Sequence, residues 1–451
     1  MTRVKLDYNF CVNNLVSSFI GYDEMEKNIG LAKKGYSKLI ELVEKGEVGF
    51  TNLVHKDLSE IIQFAKSISG KYNDLIVVGI GGSSLGIEAV ENALLPHNYN
   101  TLNFPERGYF PRLWVADNVD PVKVGWIMKK CSPEDTLVVV ITKSGSTVET
   151  IANASIFIDW LRNSGVDLNK HLVAITDPES GSLRKFVNES GIMAYEVEKN
   201  VGGRFSVLSA VGLLPAALLG IKIEKLLEGA KSVLENEKQF LTLAAIYIKY
   251  FKEKRINVIM PYCSGLYKFS FWFAQLWGES LGKRFDLNGN EVFAGTTPFP
   301  GLGAIDQHSQ VQLFREGPDD KIITFIEIKS HLLEKTIENP FYKDFEYLKG
   351  VHLSSLLNTE LAATEAALLK SGRPSVKIIA DYLNEYTLGY LFMLFELVTA
   401  IVGLGLEINP FDQPGVEEGK QFAYGILGRK GFEDKLKEFN KLNKKIDDFI
   451  I

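Results

Sequence analysis

The residues best placed to do chemistry cluster where apolar runs give way to turns. The stretch GLEINPFDQPGVEEGKQ, Gly405 to Gln421, sets Asp412, Gln413, Glu417, Glu418 and Lys420 beside Pro410, Pro414 and Gly415. It follows a long apolar helix, so the chain passes from a core into a polar loop. The Gln413 amide and the Lys420 amine lie seven residues apart across the start of a new helix. Such a pair suits a site that holds a polar ligand and moves a proton. Taken alone, the same residues would also make an ordinary solvated turn.

Other stretches point the same way. GIGGSSLG, Gly79 to Gly86, follows the apolar run NDLIVVGI. Glycines after a strand let backbone N–H groups approach an anion at a helix N-terminus. The stretch fails the dinucleotide fingerprint, because Ser84 stands where the third glycine belongs, and it lacks the G-K-[ST] of a Walker loop. A single phosphate, a sugar hydroxyl or a plain tight turn remain as readings. TKSGSTVET, Thr142 to Thr150, gathers the hydroxyls of Thr142, Ser144, Ser146 and Thr147 around Lys143 and Gly145, just before a helix. One N-cap needs one hydroxyl, so several favour a phosphate cradle.

NVGGRFSVLSAVG, Asn200 to Gly212, places Arg204 after two glycines. Its permanent charge suits an oxyanion, although a surface ion pair would also use it. In FAQLWGESLGKR, Phe273 to Arg284, Gln275 and Glu279 are four apart on one helix face among aromatic neighbours. A carboxylate enclosed by aromatics is expected to hold its proton more tightly and to act as a general base. The alternative is a surface Glu paired with a cation. His308, in GAIDQHSQVQLF, enters a helix among polar residues and could be structural or ligand-facing.

Taken in order, from GIGGSSLG to VEEGK, these segments closely resemble the phosphoglucose isomerase family. NVGGRFSVLSAVG and GLEINPFDQPGVEEGK match its two long signature patterns without departure. The resemblance implies a fold of two sugar-isomerase (SIS) domains, each a parallel sheet flanked by helices. It implies reversible conversion of glucose 6-phosphate to fructose 6-phosphate through a cis-enediolate, in glycolysis and gluconeogenesis, with no metal and no cofactor. Position by position, it makes Glu279 the base and Arg204 the stabiliser of the enediolate. His308 opens the ring, Lys420 lies near the ring oxygen, and Glu149 orients the histidine. Gly82, Ser83, Thr142, Ser144 and Thr147 hold the phosphate with Lys143 close by, and Gln275 and Gln413 fix the substrate. The histidine is expected from a second subunit, hence a homodimer. A related isomerase that also takes mannose 6-phosphate, or a non-catalytic sugar-phosphate regulator, are the competing readings. The second is disfavoured by the paired domains and by Glu279.

The elements that must position these residues follow from periodicity. Residues 1–70 read as helical. Short β-branched runs at 73–80, 113–116, 136–142, 171–176 and 194–197 alternate with helices to make a first α/β domain over 71–205. A helical connector and a second α/β domain fill 206–414, with strands at 257–260, 322–328 and 376–380, and a helical tail runs from 415 to 451. The 451 residues, 46% hydrophobic, suffice for more than one core. A net charge of −6 without a basic cluster argues against nucleic acid. Cys11, Cys131 and Cys263 are too scattered for a disulfide framework or a zinc site. Leu388–Leu406 is apolar enough for a membrane but carries Glu396 at its middle, so a buried core helix is expected. A cytoplasmic protein with no membrane partner is the resulting expectation.

Overall fold

A computed structural model describes residues 4–446, 449 and 450. Its strands, in chain order, begin with β1 (Val4–Asp7). Then come β2 (Asp74–Val78), β3 (Arg112–Ala116), β4 (Thr136–Thr142), β5 (Leu172–Thr176) and β6 (Met193–Glu196). The second half supplies β7 (Ile256–Pro261), β8 (Lys283–Phe285), β9 (Glu291–Ala294), β10 (Thr297–Pro300), β11 (Lys321–Ser330) and β12 (Ser375–Tyr382). One five-stranded sheet has the order β3-β2-β4-β5-β6, and its pairs are all parallel. The other has the order β1-β12-β11-β7-β10, parallel except for β1 at its edge. Strands β8 and β9 form a separate hairpin.

The central strands are apolar along their whole length because both faces of the sheet are covered. Leu75, Val77, Leu137, Val139, Ile141 and Ile175 point into the larger core. Their alternates Ile76, Val78, Val138, Val140 and Ala174 point to the opposite helix layer. In the first sheet the chain leaves β2 toward β3 on one side and leaves β4 toward β5 on the other. The carboxyl ends of β2 and β4 therefore flank a crevice of the kind where α/β sheets bind ligands. The turns after these two strands are GIGGSS and TKSGST.

Helix Glu385–Gly405 is the described helix that is long and apolar enough to span a membrane, and it is wholly buried inside the protein. It packs very closely on helix Ile223–Leu234. A Cβ on Gly229 would lie 1.9 Å from Tyr386 O, and one on Gly389 would lie 1.9 Å from Leu226 O. Glycine at both crossing points lets the two backbones touch.

Four strands were not legible from pattern. Strand β1 lies in the stretch expected to be helical and gives the second sheet an antiparallel edge. Strands β8, β9 and β10 are three or four residues long, too short to show a period. Pro298 and Pro300 are tolerated in β10 because it is an edge strand.

Glu396 has no exposed surface, and neither carboxylate oxygen has a partner among the described residues. Burial raises its pKa well above the ordinary 4.5. The native state thus keeps a proton that the unfolded chain releases. Stability should fall as pH rises from about 4.5 toward the folded value, by at most about 1.4 kcal/mol per pH unit. Glu396→Gln removes that slope. Its melting temperature relative to the wild type should climb steadily between about pH 5 and pH 8. A calorimetric difference that stays constant over that range would contradict a protonated Glu396.

Candidate active site

The site is built around one buried cation. Arg204 is only 4% exposed, and it leaves the short turn Gly203–Phe205 that follows β6. Its Nε donates to Ser280 Oγ at 2.7 Å. Its terminal nitrogens donate to Gln413 Oε1 at 2.8 Å, Asp412 O at 3.0 Å and Pro410 O. Glu279 Oε2 accepts at 3.4 Å. Phe205 and Phe411 pack with ring centroids 5.5 Å apart, and Phe50 packs on Phe205 at 5.0 Å, fixing both sides of this junction.

Helix Tyr267–Leu281 carries Gln275 and Glu279 one turn apart. Gln275 Nε2 donates to Glu279 Oε1 at 3.2 Å, while Gln275 Oε1 is buried without a partner among the described residues. A buried amide oxygen without a donor is an acceptor waiting for one. The aromatic enclosure expected for Glu279 is not what the fold builds. Phe269, Trp272, Phe273 and Trp277 face the core, stacking on Phe392, Phe395 and Tyr247. The Glu279 side chain, 35% exposed, looks the other way, at Arg204. A helix turns by about 100° per residue, so residues close in sequence need not share a face, and aromatic composition around Glu279 did not mean aromatic contact.

The crevice in the first sheet supplies a hydroxyl cluster. Thr142 Oγ1 lies 3.2 Å from Thr147 Oγ1, and Ser144 Oγ lies 3.3 Å from the same atom. Helix Val148–Ser164 starts immediately after, and Glu149 sits in its first turn. Lys143 reaches away from these hydroxyls and donates to Lys199 O and Val201 O, both at 2.7 Å. It therefore ties the hydroxyl loop to the segment that leads into Arg204. Burial lowers its pKa.

Gly81 adopts φ +60°, a conformation that favours glycine, and Gln275 Nε2 would lie 2.8 Å from a Cβ there. A Cβ on Gly82 would lie 2.2 Å from Gly203 O. The turn after β2 is thus pressed between the Arg204 turn and the Gln275 side chain, with Ser83 in the same short turn.

The structure therefore brings Arg204, Glu279, Gln275 and Gln413 into direct contact. Thr142, Ser144 and Thr147 form a second group, joined to the first through Lys143 and Gly82. It does not join His308 or Lys420 to either group within this chain's described residues. His308 is exposed on the turn after β10. Lys420, also exposed, donates to Glu417 Oε1 at 2.8 Å in helix Glu417–Ile426.

A model of the family described as phosphoglucose isomerase matches residues 50–445. The chain belongs to the phosphoglucose isomerase family. It is 42% identical to a glucose-6-phosphate isomerase of Carboxydothermus hydrogenoformans, an alignment covering 98% of each chain. It is 41% identical to one of Rubrobacter xylanophilus over 80% of this chain and 83% of that one. A solved glucose-6-phosphate isomerase from Chlamydia trachomatis, 24% identical, has the same fold with a TM-score of 0.79, over 98% of this chain and 92% of its own.

Within the phosphoglucose isomerase frame, two residues of the junction were not singled out from sequence. Ser280 takes the Arg204 Nε–H. Lys283 lies 3.7 Å from Asp412 Oδ1 and is buried. Lys283 lies past the helix end, in β8, so the helical spacing that linked Gln275 to Glu279 did not single it out.

Gly82→Ala tests how the junction is held. The added methyl must push Gly203 and hence Arg204 out of place. Isomerase turnover should fall about tenfold or more, since misplacement of around 1 Å can cost more than that. Steady-state kinetics on a variant shown to be folded would check it. Unchanged turnover would mean that this contact does not place Arg204.

Proposed function

We propose a residue-level account of the reaction this chain carries out, the interconversion of glucose 6-phosphate and fructose 6-phosphate in glycolysis and gluconeogenesis. The phosphate rests on the Thr142, Ser144 and Thr147 hydroxyls and the Gly82–Ser83 turn, at the start of helix Val148–Ser164. Lys143 holds this cradle to the Arg204 segment and adds positive charge nearby. Anchoring the unreactive end of the sugar lets its binding energy orient the reacting end.

His308 and Lys420 open the ring, with Glu149 orienting the histidine. Glu279 then takes the proton from C2 and returns it to C1. The electrons left at C2 form a C1–C2 double bond as those of the C1 carbonyl move onto O1, giving a cis-enediolate whose negative charge faces Arg204. When C1 takes the proton, the O2 hydroxyl proton passes to O1 and C2 becomes the ketone. Gln275, with its unpartnered carbonyl oxygen, and Gln413 hold sugar hydroxyls. The observation that carries this account is the Glu279–Arg204 pair at 3.4 Å, a partly exposed carboxylate beside a fully committed guanidinium. The base is open to a ligand, while the cation is preorganised.

A homodimer, with His308 serving the partner's site, fits two features. His308 is exposed and apart from Glu279 in contact terms. The segment 331–350 exposes Leu332 at 98% and Phe341 at 92%, along with Leu333 and Tyr347, apolar side chains that an interface could cover. The three cysteines are free and buried, in keeping with a reducing cytoplasm.

Glu279→Gln should preserve fold and substrate affinity while lowering kcat by about 10²–10⁴-fold, because an amide of the same shape cannot accept the C–H proton. A coupled assay of fructose 6-phosphate conversion gives the answer, and near-wild-type kcat would remove Glu279 from the mechanism. The shared site has its own test. His308→Ala and Glu279→Gln proteins, mixed and allowed to exchange subunits, should regain activity. Random pairing leaves about a quarter of all sites intact across a two-fold interface. Exchange verified by native mass spectrometry with no regained activity would place both residues within one chain.

A further inference from the structure

We propose that Lys283 is a positioning residue of this isomerase site. It ties the end of the Glu279 helix to the loop that receives Arg204, and it supplies a second positive charge to the same pocket. The inference rests on the roles given above to Glu279 and Arg204.

Helix Tyr267–Leu281 ends two residues beyond Glu279, where its last carbonyls have no partners within the helix. Lys283 curls back over them. Its Nζ donates to Glu279 O at 2.6 Å and to Ser280 O at 2.8 Å. The same ammonium lies 3.7 Å from Asp412 Oδ1. Asp412 is the residue whose main-chain oxygen accepts from Arg204, and its carboxylate also accepts from Asn409 Nδ2 at 3.1 Å. One amine thus fixes the helix that carries the base and the loop that seats the cation.

A helix end alone does not call for this arrangement. Glycine in the left-handed region or water would satisfy those carbonyls at lower cost. Here a lysine side chain only 5% exposed sits beside a second buried cation, Arg204. Burying like charges together is unfavourable, so their pairing points to a demand for positive potential at this spot. The charged groups facing Lys283 are Arg204, Asp412 and Glu279. The adjacent Arg284 turns outward to Glu291. Burial, and then repulsion by Arg204, bring the Lys283 pKa down to about 8. In the wild type the amine therefore loses its charge over the mildly alkaline range, and the pocket's hold on an enediolate weakens with it.

The test measures kcat and KM for fructose 6-phosphate from about pH 6 to pH 10. The proteins are wild type, Lys283→Met, Lys283→Arg and the Glu279→Gln control, each with its melting temperature. Lys283→Met should lose about tenfold or more in kcat with KM changed by less than about threefold, since the charge acts on the transition state. Its profile should lack the wild-type alkaline decline. Lys283→Arg should recover most of kcat and carry the decline to higher pH, because a guanidinium keeps its proton there. Wild-type kcat in a folded Lys283→Met protein would overturn the proposal. So would a Lys283→Arg profile whose alkaline limb coincides with that of the wild type, and that measurement decides the matter if the methionine variant does not fold. An inactive wild type, or a fully active Glu279→Gln, would instead overturn the reading of the site. An active wild type and an inactive Glu279→Gln, with Lys283 variants like the wild type, would overturn this inference alone.

Discussion

Everything around the site answers to the burial of one guanidinium. Arg204 has almost no exposed surface, and a buried charge is tolerated only when its donors are satisfied. The acceptors come from two places far apart in sequence. Ser280 and Glu279 lie at the end of one helix, and Pro410, Asp412 and Gln413 lie on the loop after another. Moving either segment would strand part of a buried cation. The planar fork therefore fixes where the helix end, the loop and the Arg204 turn meet, with a geometry that an ammonium could not impose.

The same arrangement explains why the carboxylate remains available. Because Arg204 spends its donors on fixed main-chain and side-chain oxygens, Glu279 receives only the longest of its contacts. A shorter, fork-shaped ion pair would have bound this carboxylate rigidly to the cation. A preorganised charge that needs no rearrangement when an oxyanion forms is the economical way to stabilise a transition state. Lys143 and Gly82 extend this rigidity across the crevice to the hydroxyl loop. The hydroxyl loop and the Arg204–Glu279 junction are thus held in one frame, although they come from segments far apart in the chain.

Much of this was readable in the order of residues. The apolar β-branched runs located the central strands, since a strand covered on both faces must be apolar throughout. The two long signature stretches located Arg204 and the 410–420 loop. The glycine turn after β2 and the hydroxyl turn after β4 were legible as turns at the ends of two apolar strands. Less was readable where elements are short or where faces matter. Strand β1 is defined by its pairing with β12, four residues against a remote partner, and carries no periodic signal of its own.

Sequence by itself determined which chemical groups exist and the local elements that bear them: Glu279 and Gln275 on one helix face, Arg204 after paired glycines, Thr142, Ser144 and Thr147 at a helix start. Those features follow from local sterics and from the 3.6- and 2-residue periods, which act over a few residues. Tertiary structure alone decided what each group faces. It turned the aromatic neighbours of Glu279 into the core and the carboxylate toward Arg204. It directed Lys143 to the carbonyls of residues 199 and 201. It also brought Ser280 and Lys283 into the junction with the 410–413 loop. The physical reason is that burial and desolvation are properties of the whole packed chain. A cation's partners are chosen by which distant segments the fold can bring within hydrogen-bond reach, and no local pattern records that choice.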